Sequence, residues 1–277
     1  MEYKHQYSNP IKLLETYMNR KKYSQRTIDS YISQVLLVVK QSNKDCYHLV
    51  VGDFNNYIDS IISTASNSKI NLVINAGKLY LKCGLNKSDY IINKFERPIR
   101  EKRLPEILSK DEVRAILKNT HNLKQKAILG TIYFHGLRRS ELINLKLTDI
   151  DRSRGIINVR QSKGNKDRIV PLDSNCIKVI DRYIEKYHPT NYLFNGQFSE
   201  QYSVESIRSI LVHSTKLAHI NKRVNPHKLR HSYATHLLEQ GVSLRYIQNI
   251  LGHYSSKTTE IYTHVSVAKI QNIQIAF

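Results

Sequence analysis

Apolar residues recur at helical spacing through the first third of the chain. Leu13, Leu14, Tyr17 and Met18 keep that spacing. Ile28, Tyr31, Ile32, Val35 and Val39 mark one face of a second helix, with Ser24 as its N-cap and an end near Lys40. Asp53 is a candidate cap for a third helix, and Ser68 or Asn71 for a fourth that ends near Gly84. No period-two alternation interrupts residues 9–95. The pattern predicts a small four-helix domain over residues 1–95.

A break follows at residues 96–106. The run from Lys94 to Pro105 combines two prolines with five basic residues, and it reads as an extended basic linker able to track a phosphate backbone. Its candidate DNA-contacting side chains are Arg97, Arg100, Lys102 and Arg103.

The second domain, residues 107–277, opens on a capping-box pattern, Ser109 to Glu112, before Val113, Ile116 and Leu117. A helix from about Lys124 stops at Gly136, and another starts near Arg138 and covers Glu141 to Leu145. The period then changes. Residues 155–161 and 167–172 are β-like runs around Ser162-Lys163-Gly164-Asn165-Lys166, and Gly-Asn is a hairpin-turn signal. Helices are expected near 174–187 and 203–218. A further one has Asn225 as cap, Pro226 at its first position and Gly241 beyond its end. Ser243 caps a short helix to Leu251, and a last helical turn carries Tyr262. The expected fold is mainly α with a small antiparallel β-sheet in the second domain.

Composition narrows the partner. The 277 residues are 40% apolar, enough for packed cores. The apolar run Val35 to Val39 is too short to span a bilayer, and the first residues lack a signal-peptide core. Cys46, Cys83 and Cys176 have neither paired nor metal-ligand spacing, which fits a reducing cytosol. The 43 basic against 23 acidic residues leave a net charge of +20, an excess that favours a polyanion, usually nucleic acid. Residues 1–100 carry 15 basic and 8 acidic groups, so the excess is spread along the chain and not gathered in a tail.

Two arginines, two histidines and a late tyrosine then suggest phosphodiester chemistry. A phosphate under attack gains charge on its equatorial oxygens, which arginine forks match in bidentate fashion, and a phenol can serve as nucleophile. His227, Arg230 and His231 sit at i, i+3 and i+4, so one helix face presents them together. Alone, such a triplet is more often a solvated basic face. Asp149 and Asp151 could be read as a metal-binding carboxylate pair. The bland reading is preferred: both point onto solvent where a helix gives way to a strand, with no third carboxylate in context. His227, His231 and His236 do not complete a zinc pattern, and the Ser162 to Lys166 run is not a P-loop. No metal or other cofactor is expected.

The order and spacing of these motifs resemble one family. Gly136-Leu-Arg138-Arg-Ser-Glu141-Leu, Ser162-Lys163-Gly-Asn-Lys-Asp-Arg, Pro226-His227-Lys-Leu-Arg230-His and Leu251-Gly-His253, followed nine residues later by Tyr262, look like the tyrosine recombinases, nearest the Xer-type and integrase branch. The likeness covers nearly the whole chain. It implies a two-domain clamp on duplex DNA, made of a helical core-binding domain and a catalytic domain. It places Arg138, Lys163, His227, Arg230, His253 and Tyr262 at the catalytic positions, Glu141 as a buttress and Lys166 on DNA. A separate arm-binding domain in front and the extra helix of integron integrases are not expected.

By that resemblance Tyr262 attacks the scissile phosphorus, leaving a 3′-phosphotyrosyl bond and a free 5′-hydroxyl without ATP. Arg138, Arg230 and His253 stabilise the non-bridging oxygens, His227 accepts the phenol proton, and Lys163 protonates the leaving oxygen. The implied partner is double-stranded DNA with an inverted-repeat site. Four protomers assemble on it, alone or beside a paralogous recombinase, in the nucleoid-associated cytoplasm. The apolar end from Val265 to Phe277 is expected to pack on a neighbouring protomer. Two rivals share the scaffold: a type IB topoisomerase and a catalytically silent DNA-binding regulator.

The role of Lys163 is open to a chemical test. An alkoxide leaves poorly near neutral pH, so proton donation contributes roughly 10²–10⁴-fold. Lys163→Ala is expected to cleave ordinary DNA slowly, yet to cleave a substrate with sulfur at the bridging 5′ position at nearly the wild-type rate. An undiminished defect on the sulfur substrate would move the proton donor to His227 or Lys166.

Overall fold

The computed structural model describes residues 9–98, 106–162, 166–252 and residue 259, with backbone alone at Gln161, Ser162 and Lys166. The chain divides into two compact units, Met1–Lys102 and Arg103–Phe277. Among the described residues no helix is long and apolar enough to cross a membrane.

The first unit is helical. It comprises α1 (Pro10–Arg20), α2 (Gln25–Ser42), α3 (Val51–Ile61), α4 (Asn67–Cys83) and the one-turn α5 (Asp89–Ile92). Asn9 caps α1 through its side-chain oxygen, and Ser24 caps α2 by accepting from the Thr27 N–H at 3.4 Å. The second helix ends two residues beyond its expected limit, where Asn43 takes the left-handed conformation.

Two expected caps are corrected. Asp53 lies inside α3, where its carboxylate accepts from the Val50 N–H at 2.8 Å and pairs with Lys44 at 2.7 Å. It stabilises the helix start from the third position, the Glu half of a capping box whose other half valine cannot supply. Helix α4 is capped by Ser66 and not by Ser68 or Asn71, because Ser66 already accepts from the Lys69 N–H. Helix α4 packs against α1, α2 and α3. Its Gly77 leaves room for two rings: a Cβ there would lie 2.8 Å from both Phe54 and Phe95, which meet edge-on at 5.7 Å. Phe95 is therefore part of this unit's core.

The second unit holds α6 (Lys110–Lys118), α7 (Leu123–His135), α8 (Arg139–Asn144), β1 (Ile150–Asp151), β2 (Ile156–Ser162), β3 (Lys166–Pro171), α9 (Ser174–Tyr187), α10 (Val204–Leu217), α11 (Pro226–Glu239) and α12 (Leu244–Leu251). Ser109 and Glu112 form a reciprocal capping box on α6, at 3.1 and 2.7 Å. The strands make one antiparallel sheet in the order β1-β2-β3. Strand β1 is an addition to the expected hairpin, since two residues are too few to show a period. Helix α7 buries residues all around its axis and packs against α9, α10, α11 and α8, which makes it the central helix of the unit. Helix α11 is nearly as buried, and its Ser232 hydroxyl accepts from the Leu108 N–H at 2.8 Å.

The expectation for Asp149 and Asp151 is also corrected. Asp149 is buried. It accepts from the Lys146 N–H at 2.9 Å, and Arg160 Nε lies 2.9 Å from its other oxygen, near enough for an ion pair but not aligned as a hydrogen bond. Asp151 instead orders the following turn, accepting from the Arg154 N–H and the Ser153 hydroxyl. Asp149 is the last residue of a 3-10 turn at Leu147–Asp149 while Asp151 lies in β1, so strand alternation does not relate them. The three cysteines are unpaired, with Cys176 buried beside Thr131.

Two buried histidines make this unit sensitive to acid. His135 receives the Asp173 N–H at Nε2, and His236 Nδ1 lies 2.8 Å from the Tyr133 hydroxyl. Burial holds both near pKa 4, well below the ordinary 6.5. Between those values the unfolded chain binds protons that the folded chain does not. The stability these groups contribute is full above pH 6.5 and is lost as pH falls toward 4, on the order of 3 kcal/mol for His135 and less for the better-screened His236. Urea midpoints measured from pH 7.5 down to 4.5 should fall steadily, and His236→Gln should flatten that slope.

Candidate active site

The site is assembled where α7 ends. Gly136 closes that helix with φ +59°, and a Cβ there would lie 2.7 Å from the Tyr233 ring and 2.9 Å from Leu251. Only glycine meets both the left-handed turn and the close approach. The chain then buries Leu137, and Arg138 becomes the extended N-cap of α8. Glu141, at the third helical position, accepts from the Arg138 N–H at 2.7 Å. This fixes a carboxylate at the helix start, where the backbone dipoles favour negative charge.

That carboxylate is 3% exposed and faces three guanidinium groups. Arg138 Nη1 donates to Oε1 at 2.6 Å. Arg168, from β3, donates through both Nη atoms to both oxygens at 2.7 Å, a fork-to-fork pair. Arg230, from α11, approaches Oε2 at 3.7 Å. Burial pushes the Glu141 pKa up. The hydrogen bonds and charge of Arg168, the Arg138 N–H and the charge of Arg230 outweigh it and hold the pKa down to about 2.

The same three arginines grip the end of α12. Arg168 Nε donates to the Ile250 carbonyl at 2.6 Å, Arg230 Nη2 to the Leu251 carbonyl, and Arg138 Nη2 to the Gly252 carbonyl at 3.0 Å. Arg230 also donates to the Gly136 carbonyl. The last carbonyls of a helix lack intrahelical partners and carry its partial negative charge, so cations there are doubly favoured. Gly252 continues in the left-handed conformation, and a Cβ on it would lie 2.9 Å from Arg168 Cδ.

His227 and His231 lie one turn apart on α11, with ring centroids 5.4 Å apart. His227 keeps open surface, yet its surroundings lower its pKa, first by desolvation and then by the charges of Arg230, Arg138 and Arg139. It is neutral at neutral pH and able to accept a proton. His231 is less exposed and is held near pKa 4 by burial, His227 and Arg230.

Of the residues singled out from sequence, Arg138, Glu141, His227 and Arg230 come together here. The triplet on α11 is not a uniformly solvated face, because Arg230 is only 1% exposed. Lys163, His253, Tyr262, Arg100, Lys102 and Arg103 lie outside the described residues, as does the apolar end, and for Lys166 only the backbone in β3 is described. Arg97 lies in the first unit, donating to the Asn71 and Asn75 side chains of α4 at 2.6 and 2.8 Å. Sequence reasoning missed Arg168. Its signal was weak: on β3 it alternates with exposed Ile169 and shares a face with buried Val170, and an arginine on the buried face of a strand needs a buried anion.

The chain matches the phage integrase family over residues 106–269. It is 34% identical over 271 residues to the tyrosine recombinase XerD of Staphylococcus epidermidis, covering 93% of this chain and 88% of that protein. It is similar to the crystal structure of XerA recombinase, with a TM-score of 0.58 at 30% identity over 96% of this chain and 99% of the other. A lambda integrase tetramer bound to a Holliday junction shares the fold, with a TM-score of 0.73 at 16% identity over 91% and 76% of the two chains. With such coverage and this arginine-rich site, the chain belongs to the phage integrase family of DNA recombinases. Within it the protein is a Xer-like tyrosine recombinase, an enzyme of site-specific recombination, and the topoisomerase and silent-regulator readings are not favoured.

Glu141→Gln tests the hub. Removing one partner of a buried ion pair typically costs about 3–5 kcal/mol, because the remaining charges stay buried without compensation. The variant is expected to lose stability on that scale in urea denaturation. A change below about 0.5 kcal/mol, the range of an inert surface substitution, would show that the carboxylate does not organise the arginines.

Proposed function

We propose that the protein cleaves and rejoins duplex DNA through Tyr262, forming a 3′-phosphotyrosyl intermediate and exchanging strands between two inverted-repeat sites. The observation that carries this reading is that, among the described residues, one carboxylate, Glu141, faces the three guanidinium groups of Arg138, Arg168 and Arg230 beside a neutral His227. A phosphorane-like transition state gains negative charge, and preorganised cations in a water-poor site stabilise it without reorganising.

Each residue then has a role. Arg138, the more exposed of the two proposed catalytic arginines, meets a non-bridging oxygen, and Arg230 acts from a buried position where its field is poorly screened. His227 accepts the phenol proton. His253, which directly follows Gly252 in sequence, adds a hydrogen bond to the phosphate, and Lys163 protonates the leaving 5′-oxygen. Glu141 orients the arginines. Arg97, Arg100, Lys102, Arg103 and Lys166 contact the DNA backbone, in keeping with the net charge of +20. The chain is read as a helical core-binding domain, a basic linker and a catalytic domain. Four protomers work together on DNA in the cytoplasm, alone or with a paralogous recombinase, a reading supported by the lambda integrase tetramer on a Holliday junction.

Capture of the covalent complex on nicked inverted-repeat substrates tests the proposal. Tyr262→Phe should bind DNA as the wild type does and form no adduct. Cleavage should survive EDTA at constant ionic strength, because arginines neutralise the charge. Adduct formation at wild-type yield by Tyr262→Phe would sink the assignment and turn attention to Tyr254. Loss of cleavage restored only by a divalent ion would sink the mechanism.

A further inference from the structure

We infer that Arg168 is a positioning residue for strand cleavage: it cancels the charge of Glu141 and locks β3 to the end of α12, immediately before His253. The inference rests on the recombinase reading of this site. Each of the three guanidinium nitrogens of Arg168 already donates, two to Glu141 and one to the Ile250 carbonyl, and its side chain is 7% exposed. It has the geometry of a group that acts through its neighbours and not of one that meets DNA.

Charge counting shows what it does. Among the described residues Glu141 is one negative charge facing three positive ones. Arg168 occupies both carboxylate oxygens, so its charge and that of Glu141 largely offset each other. The positive fields of Arg138 and Arg230 are then offset less by Glu141 at the place where, in the recombinase reading, a phosphate approaches. Without Arg168 the same carboxylate would act wholly on Arg138 and Arg230 and weaken their field.

The second contribution is mechanical. Strand β3 follows the 163–165 segment that contains Lys163, while Ile250 lies three residues before His253. Arg168 connects the two, and Gly252 gives its side chain the room to pass. A misplacement of about 1 Å at reacting groups can cost about 10²-fold in rate.

The test is a charge-neutralisation double-mutant cycle with single-turnover cleavage of a nicked site, DNA affinity and urea denaturation measured on each variant. Arg168→Met should bind DNA within about threefold of wild type and cleave about 10²-fold more slowly. Adding Glu141→Gln removes the carboxylate charge left facing Arg138 and Arg230, so the double variant should cleave roughly tenfold faster than Arg168→Met alone. A residue needed only for folding would show no such recovery. Arg168→Lys keeps the charge but gathers its donors on one nitrogen and cannot span the fork onto Glu141 and the Ile250 carbonyl together, and roughly tenfold slower cleavage with intact binding is expected. It carries the test should Arg168→Met fail to fold. A double variant no faster than Arg168→Met, or Arg168→Lys at the wild-type rate, overturns the inference. Wild type and Tyr262→Phe are run alongside. If wild type itself forms no Tyr262 adduct, it is the reading of the site that fails, and not the assignment of Arg168.

Discussion

One buried carboxylate holds together the face of the second unit where its arginines converge. Glu141 is reached by side chains from the N-cap of α8, from β3 and from α11, and the same three arginines take the last carbonyls of α12. Three elements from separate parts of the chain thus meet at one charge, and α12 is tied to them by the same arginines. Desolvating a carboxylate is expensive, and here the arginine forks and a backbone N–H offset it strongly enough to depress its pKa. Among the described residues the arrangement is still unbalanced, with three cations facing one anion. Such an excess is a poor device for stability and a good one for receiving an anion, which is what a recombinase must do at a phosphate.

Backbone conformation makes this convergence possible. Gly136 and Gly252 both take the left-handed conformation, one at the end of α7 and one at the end of α12. Each leaves space that a Cβ would fill: Gly136 for Tyr233 and Leu251, Gly252 for Arg168. The two helix ends therefore approach closely, with the Arg230 fork bridging their carbonyls. The helix caps around them are ordinary, Asn122 on α7 and Asn225 on α11, so most of the scaffold follows local rules. The departures from those rules cluster at the site, as expected where function opposes stability.

Much of the fold was legible because local chemistry decided it. Ser24, Ser109, Asn225 and Gly136 are strong punctuation, and the helices they bound lie where the periodicity put them. The third and fourth helices were misjudged at their starts. Asp53 works equally well as a cap or at the third position, and Ser66 and Ser68 offer the same hydroxyl two residues apart. Strand β1 escaped notice because two residues carry no period, and its neighbour Asp149 was wrongly placed on solvent for the same reason.

For the site, the sequence alone determined the residue types and their order: Arg138 and Glu141 at a helix start, His227 and Arg230 one turn apart, and a net charge that selects a polyanion. Those features depend on covalent spacing, which the chain carries with it. Only the tertiary structure decided that Arg230 is buried, that Glu141 faces three arginines at once, and that Arg168 joins β3 to α12. These depend on which surfaces lose water against which others. A guanidinium in the sequence reads the same whether it will be solvated or forked onto a buried carboxylate, and packing alone distinguishes the two.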